Sequence, residues 1–123
     1  MGGQTGESMN LNELANNLEM AEEEFLEIIE LFLDTSTSDL NHLQSAAEKG
    51  EALKAAKAAH SIKGAAMNLG LTEIYELAKK TEEEARDYHL DEASQLARAI
   101  KEKLNGIAEG LEGSKRQTAN TRE

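Results

Sequence analysis

The sequence predicts an all-α protein, folded as an antiparallel up-down four-helix bundle with a short additional N-terminal helix. Three observations lead to this prediction. The 123 residues contain no proline and are rich in the helix formers Ala, Leu, Glu and Lys. Apolar residues recur at intervals of three and four through four long segments. Short connections join these segments, which favours antiparallel packing of successive helices.

The overall composition argues against several classes of function. The net charge of −11 makes nucleic acid a poor partner, because phosphate binding requires clusters of Lys and Arg. The absence of cysteine excludes disulfides, thiolate chemistry and zinc–cysteine sites. No run of about 18 apolar residues and no signal-peptide pattern occurs, so we expect a cytoplasmic protein without membrane insertion. We also expect the isolated domain to be a monomer.

The two ends of the chain lack the periodic pattern of the middle. Residues 1–9 are polar and Gly-rich, and we expect them to be disordered, as we do the polar tail at residues 113–123. The domain is therefore predicted at residues 10–112. At its start, Leu11–Leu18 has leucines at the spacing of a short helix that packs against one end of the bundle.

The first two long helices are predicted on either side of Gly50. The first covers about residues 21–48, and Gly50 follows it in the C-terminal capping position. The second covers Glu51–Leu69, and Gly70 ends it. Its inward-facing stripe consists mostly of alanine, so neighbouring helices can approach it closely.

The last two helices are predicted from their N-terminal signals. Thr72 is the predicted N-cap of the third helix, and Asp91 that of the fourth. The inward-facing positions predicted for the four helices are Phe25, Ile29, Phe32, Ser36, Leu40, Leu43 and Ala47; Ala52, Ala55, Ala59, Ile62, Ala66 and Leu69; Ile74, Ala78, Thr81, Ala85 and Tyr88; and Ala93, Leu96, Ile100, Leu104, Ile107 and Leu111.

His60 is the candidate functional residue, and helical geometry directs it away from the core. At about 100° per residue, it lies roughly 140° from the centre of the inward-facing stripe. Its neighbours on the helix surface are Leu53, Ala56, Lys63, Gly64 and Met67. Spacing alone is equally compatible with an ordinary surface histidine.

Three features around this histidine favour a functional imidazole. Gly64 costs the helix about 1 kcal/mol relative to alanine, and together with Ala56 it leaves space beside the ring. Leu53 and Met67 place apolar surface on a face that solvation alone would make polar, which indicates protein docking. Lys63 supplies a cation where an anion on the imidazole would lie. Together they predict a nucleophilic imidazole that accepts a phosphoryl group from an incoming protein.

The same helix resembles a known family. The sequence AHSIKGAAMNLGL at residues 59–71 is similar to the signature of histidine-containing phosphotransfer (HPt) domains, which relay phosphoryl groups in two-component and phosphorelay signalling. The resemblance extends over about residues 11–110 and implies a four-helix bundle with an exposed histidine. It implies that His60 is the phospho-acceptor, attacking through its outer ring nitrogen. Lys63 would then neutralise the phosphoryl oxygens, and Gly64 would leave room for the partner.

The resemblance also implies a residue on the next helix that orients the imidazole. Family members place Gln or Glu there to hold the inner ring N–H, and counting without gaps gives Glu82. A glutamate at this position is similar to the chemotaxis-kinase type of the family. A carboxylate there would fix the tautomer and make the outer nitrogen more nucleophilic. Glu82 also belongs to the run Glu82–Glu84, for which a solvated helix face is a sufficient explanation.

The function that the resemblance implies is reversible phosphoryl transfer. His60 would exchange the group with an aspartate of a response-regulator receiver domain, or receive it from a histidine kinase. Leu53, Ala56, Gly64 and Met67 would form the docking surface for the receiver. The chain has no Gly-rich nucleotide loop and no metal-ligand cluster, so we expect a phosphocarrier without its own cofactor, not an enzyme. Mg²⁺ would be bound only by the partner domain.

The remaining candidates in the sequence are weaker. His42 has no cation one turn later, and His89 lies at an interhelical corner, where a surface or capping role explains it. The glutamate runs at residues 22–24 and 82–84 could indicate a di-iron or calcium site, but the Glu-x-x-His spacing of di-iron bundles does not occur twice. The alternative function is a non-catalytic bundle that binds protein partners. That alternative explains the amphipathic stripes but not the histidine, lysine and glycine of the second helix.

Overall fold

The computed structural model shows an all-α bundle, and it describes Leu18 and residues 20–121, with side chains through Ser114. The described helices are α1 (Glu22–Glu48), α2 (Ala52–Leu69), α3 (Thr72–Arg86) and α4 (Leu90–Thr121). Each helix packs against its neighbour in the chain, and α4 closes the bundle against α1. The predicted four-helix bundle is confirmed. Residues 1–9 and most of the predicted short helix at Leu11–Leu18 lie outside the described residues.

Glycines end the first two helices as predicted. After α1, the amide of Gly50 donates to the carbonyl of Ala47 at 3.2 Å, and the amide of Glu51 donates to that of Ala46 at 2.8 Å. The turn after α2 repeats this pattern around Gly70. The two glycines have φ of 76° and 72°, a left-handed conformation that a residue without a Cβ adopts at little cost.

The turn after α3 has the same hydrogen-bond pattern but carries Tyr88 in place of the glycine. Tyr88 donates its amide to the carbonyl of Ala85 at 3.0 Å and has φ of 64°. It is 71% exposed, so the prediction that it faces the core is wrong. The reason is that α3 ends at Arg86 and the chain turns before another helical turn is completed.

The helix α3 starts one residue earlier than predicted, and α4 starts two residues earlier. Thr72 is the first residue of α3, and Leu71 takes the N-cap position that we predicted for the threonine. Asp91 lies in the first turn of α4, which begins at Leu90. An acidic residue in the first turn still interacts favourably with the positive end of the helix dipole.

The last helix is longer than predicted. Its backbone is helical through Thr121, whereas we predicted a disordered tail at residues 113–123. Extending an existing helix requires no new nucleation, and most residues after Gly113 tolerate helical geometry. The predicted tail is therefore wrong for the backbone of residues 113–121.

The core has a large apolar part and a small alanine part. Large side chains from all four helices form the main cluster, in which Phe25, Ile29, Ile62, Ile74 and Ile100 are almost fully buried. The buried members of the second cluster are all alanines: Ala46, Ala55, Ala56, Ala85 and Ala93. This alanine cluster lies where α1 passes into α2 and α3 passes into α4. Its small side chains allow close approach of the helix backbones there.

Most of the predicted inward-facing residues are buried. At two positions the buried residue is the neighbour of the predicted one. Ala46 is buried while Ala47 is only partly so, and Ala97 is buried while Leu96 is only partly so. Periodicity selects a face of the helix, but near the edge of that face it does not separate two adjacent residues.

Candidate functional site

The site lies on the outer face of α2, where that helix borders α3. The side chain of His60 is 64% exposed, since α2 turns its alanine stripe toward the core. Nδ1 of the ring lies 3.2 Å from Oε2 of Glu82 on α3. No described residue forms a hydrogen bond with the other ring nitrogen, Nε2. The histidine is therefore held on its inner side and open on its outer side.

The carboxylate of Glu82 joins the two helices through three side chains. Glu82 itself is only 6% exposed. Its Oε1 accepts from Nζ of Lys63 at 2.8 Å. Its Oε2 accepts from Nη2 and Nε of Arg86 at 2.8 and 3.3 Å, and lies beside the ring of His60. A buried carboxylate with these donors has its acceptor positions well satisfied.

The electrostatics of the cluster keep Glu82 ionised. Burial raises the pKa of Glu82, but the hydrogen bonds from Lys63 and Arg86 and the charges around it lower the pKa from 4.5 to about 2. An ionised acceptor beside Nδ1 favours the imidazole tautomer that carries its proton on Nδ1. The lone pair is then on Nε2, the nitrogen with which no described residue forms a hydrogen bond.

Small residues bring α2 and α3 together at this point. Ala56 and Ala59 on α2 and Ala78 and Ala85 on α3 are each at most 1% exposed. The two alanines of α3 lie four residues before and three residues after Glu82, so all three side chains share one face of the helix. That face is turned toward the core, which explains why Glu82 is buried and how it reaches His60.

The predicted docking residues divide into exposed and buried ones. Leu53 and Met67 are 71% and 63% exposed, and a Cβ added to Gly64 would meet nothing within 4 Å. Ala56 is 1% exposed and belongs to the alanine cluster. The prediction that Ala56 lies on the docking surface is therefore wrong, because its side of α2 faces α3. A docked protein could reach the other three residues but not this one.

Two basic residues of the site differ from what the sequence indicated. We expected Lys63 to face an anion on His60, but its ammonium pairs with Glu82. Arg86 was missed altogether. A signal for it exists in the sequence, because Glu82 and Arg86 are four residues apart on one helix and oppositely charged.

The other two histidines lie away from this cluster. His42 lines an open cleft between α1 and α2, and no described residue pairs with it. His89 lies at the turn before α4, and its Nδ1 is 2.8 Å from Oε1 of Glu84. Among the described residues, no group of three or more His, Asp and Glu side chains could hold a metal ion. Within the same part of the chain, no helix has the length and apolar character needed to span a membrane.

Comparisons with known proteins agree with this geometry at the level of the family. Neither the curated proteins nor the solved structures gave a match. A family model described as Hpt domain matches residues 27–110, which is more than half of the chain and includes both α2 and α3. Its members are phosphocarriers that interact with kinases and receiver domains, not enzymes in their own right. The chain belongs to the Hpt domain family, whose members transfer phosphoryl groups through a histidine in phosphorelays.

Proposed function

We propose that His60 is the phospho-acceptor of this Hpt domain and that it exchanges a phosphoryl group with an aspartate of a receiver domain. The observation that carries the proposal is the asymmetry of the imidazole. Its Nδ1 is held at 3.2 Å by the buried carboxylate of Glu82, whereas no described residue forms a hydrogen bond with Nε2 and the side chain is largely exposed. A nucleophile with one nitrogen fixed by a base and the other accessible is suited to attack on an incoming group.

The transfer step balances with these groups alone. The Nε2 lone pair attacks the phosphorus of an aspartyl phosphate, an N–P bond forms, and the P–O bond breaks. The electron pair of that bond leaves on the carboxylate of the receiver. The ring keeps its proton on Nδ1 and becomes positively charged. Glu82 stabilises this charge by accepting a hydrogen bond from the Nδ1–H group. In the reverse direction the aspartate attacks the phosphorus and the neutral imidazole leaves.

Lys63 assists by offsetting the charge of the phosphoryl oxygens. Catalysis of phosphoryl transfer depends mainly on positioning and charge neutralisation. The flexible stem of Lys63 would let its ammonium move from Glu82, 2.8 Å away, to a phosphoryl group on His60. The domain contributes no cofactor to the step, and Mg²⁺ belongs to the partner.

The partner docks on the outer face of α2. Leu53, Gly64 and Met67 lie on the same face of the helix as His60, and their exposure leaves apolar surface for a receiver domain. The glutamate at position 82 supports a similarity to the chemotaxis-kinase type, which stays a prediction.

The first test of the function is phosphorylation of the whole chain by acetyl phosphate or by a phosphorylated receiver. We expect an acid-labile, base-stable label on the wild type that is absent from His60→Gln. His42→Gln and His89→Gln are matched controls that should keep the label, and circular dichroism should show the same helix content in all variants. Label that persists in His60→Gln would rule out this histidine as the acceptor. A wild type that takes up no label would favour the non-catalytic interaction module.

The second test concerns Lys63. We expect Lys63→Ala to slow phosphorylation about tenfold, the effect of losing a charge-assisted hydrogen bond, while the bundle stays folded. The rate of label uptake from acetyl phosphate measures this effect. An unchanged rate would remove Lys63 from the mechanism.

A further inference from the structure

Arg86 contacts the same carboxylate oxygen as the histidine. Its Nη2 and Nε lie 2.8 and 3.3 Å from Oε2 of Glu82, and that oxygen is 3.2 Å from Nδ1 of His60. Lys63 contacts the other oxygen, Oε1. Both N–H groups of the guanidinium donate to the one oxygen that lies beside the imidazole, so Arg86 holds that oxygen in place as well as supplying charge. The side chain of Arg86 is 59% exposed, although its guanidinium contacts the buried Glu82.

The formal charges explain what a second cation contributes. Glu82 supplies one negative charge, and Lys63 and Arg86 supply one positive charge each, so the cluster has one excess positive charge. Phosphorylation adds a positive ring and a phosphoryl group with about two negative charges, which leaves the cluster neutral. Without Arg86 the cluster would begin neutral and become negative. A negative cluster would oppose retention of the phosphoryl group.

We propose that Arg86 is a positioning residue of the phosphotransfer site, which holds Glu82 against His60 when Lys63 turns to the phosphoryl group. The inference rests on the proposed function of His60. The ammonium of Lys63 has three donors, so when it donates to a phosphoryl group on Nε2 its charge is shared between that group and Glu82. Arg86 lies one turn after Glu82 on the same helix and keeps its contact throughout. The carboxylate therefore stays ionised and directed at Nδ1 in both states.

The alternative for Arg86 is a purely structural role. Oppositely charged residues four apart stabilise an exposed helix slightly, with no consequence for a neighbouring ring. The two roles differ in what they predict for the imidazole. A structural ion pair affects the unfolding of α3, whereas a positioning residue affects the tautomer and the reactivity of His60.

The experiment compares Arg86→Met with Arg98→Met in the full chain. Arg98 is an exposed arginine on α4, so its variant loses the same charge outside the cluster. We expect Arg86→Met to lower the population of the Nδ1–H tautomer, read from the ¹⁵N shifts of the His60 ring. The rate and final yield of labelling by acetyl phosphate should fall about fivefold, the effect of one lost exposed charge contact. Arg98→Met should match the wild type in both measurements.

The conservative variant and the contrary outcomes complete the test. Arg86→Lys keeps the charge but not the planar pair of donors. Compared with Arg86→Met, we expect it to recover more of the labelling yield than of the Nδ1–H tautomer population. Unchanged ring shifts and unchanged labelling in Arg86→Met would overturn the inference, as would equal effects of the two methionine variants. A wild type that takes up no label would instead refute the proposed function. In that case the ring shifts alone would still decide whether Arg86 holds Glu82 on the histidine.

Discussion

At the scale of single residues, the ionisation of Glu82 connects the site to the stability of the fold. Burial raises the pKa of Glu82, yet the hydrogen bonds from Lys63 and Arg86 hold this pKa at about 2, below its ordinary value of 4.5. A carboxyl group whose pKa is lower in the folded state stabilises that state above the pKa of the unfolded chain. This contribution is lost as the pH falls from about 4.5 to about 2.

We therefore expect Glu82→Gln to change the pH dependence of unfolding. At neutral pH the variant should be less stable than the wild type by about 1–3 kcal/mol, because charge-assisted hydrogen bonds are lost from a buried position. Below pH 4.5 the difference should shrink, since protonation removes the same contribution from the wild type. Urea unfolding at a series of pH values measures both curves. Parallel curves through this pH range would contradict the lowered pKa of Glu82 in the folded protein.

Tyr88 is a second residue whose conformation has a measurable consequence. Its φ of 64° costs a side chain with a Cβ about 1–2 kcal/mol, and part of this is recovered when glycine replaces it. Because Tyr88 is 71% exposed, the substitution removes little packing. We expect Tyr88→Gly to raise the free energy of unfolding by about 0.5–1 kcal/mol and Tyr88→Ala to give no such gain. Thermal unfolding compares the two variants. A glycine variant less stable than the alanine variant would refute the claim that the backbone at Tyr88 is strained.

At the scale of the elements, α2 serves two surfaces at once. Its alanine stripe packs in the core, and the opposite face carries His60 and Gly64. A Cβ at Gly64 meets nothing within 4 Å, so the protein itself does not require glycine there. An interior glycine costs a helix about 1 kcal/mol. We therefore explain Gly64 by the space that a docked partner needs.

Substitutions at Gly64 separate the fold from docking. Gly64→Ala should raise the free energy of unfolding by up to about 1 kcal/mol, because alanine is the better helix former. Gly64→Gln should keep its helix content and its labelling by acetyl phosphate but lose transfer from a phosphorylated receiver. Circular dichroism and the two labelling reactions measure these outcomes. Normal receiver transfer in the glutamine variant would show that Gly64 provides no clearance.

The elements were more predictable from sequence than the contacts between them. Apolar periodicity and the glycines located α1 and α2 to within a residue, because both signals are local to one helix. The burial of Ala56 was missed, since alanine fits a surface and a tight interface equally well. The pairing of Lys63 with Glu82 was missed because it depends on how two helices pack, which periodicity does not contain. Counting along the family pattern did place Glu82 beside the histidine.

At the scale of the whole molecule, the spacing of α2 and α3 depends on the alanine cluster. Ala56 and Ala85 belong to this cluster, and each lies within one turn of a site residue on its own helix, His60 or Glu82. Close-packed interiors transmit a change of volume to the elements around it. The reach of Glu82 to the imidazole is therefore a property of the bundle as well as of the two residues.

Enlarging the alanine cluster should weaken the fold and the site together. In Ala56→Leu the larger side chain must push α3 away, and we expect a loss of about 1–3 kcal/mol of stability from overpacking. Under conditions in which the variant is still folded, the longer separation of Glu82 from His60 should lower both the Nδ1–H tautomer and the labelling rate. Asn41→Leu, which adds the same side chain at an exposed position on α1, should behave as the wild type. A folded Ala56→Leu variant with normal ring shifts and labelling would mean that α2 and α3 keep their spacing without the alanine contact.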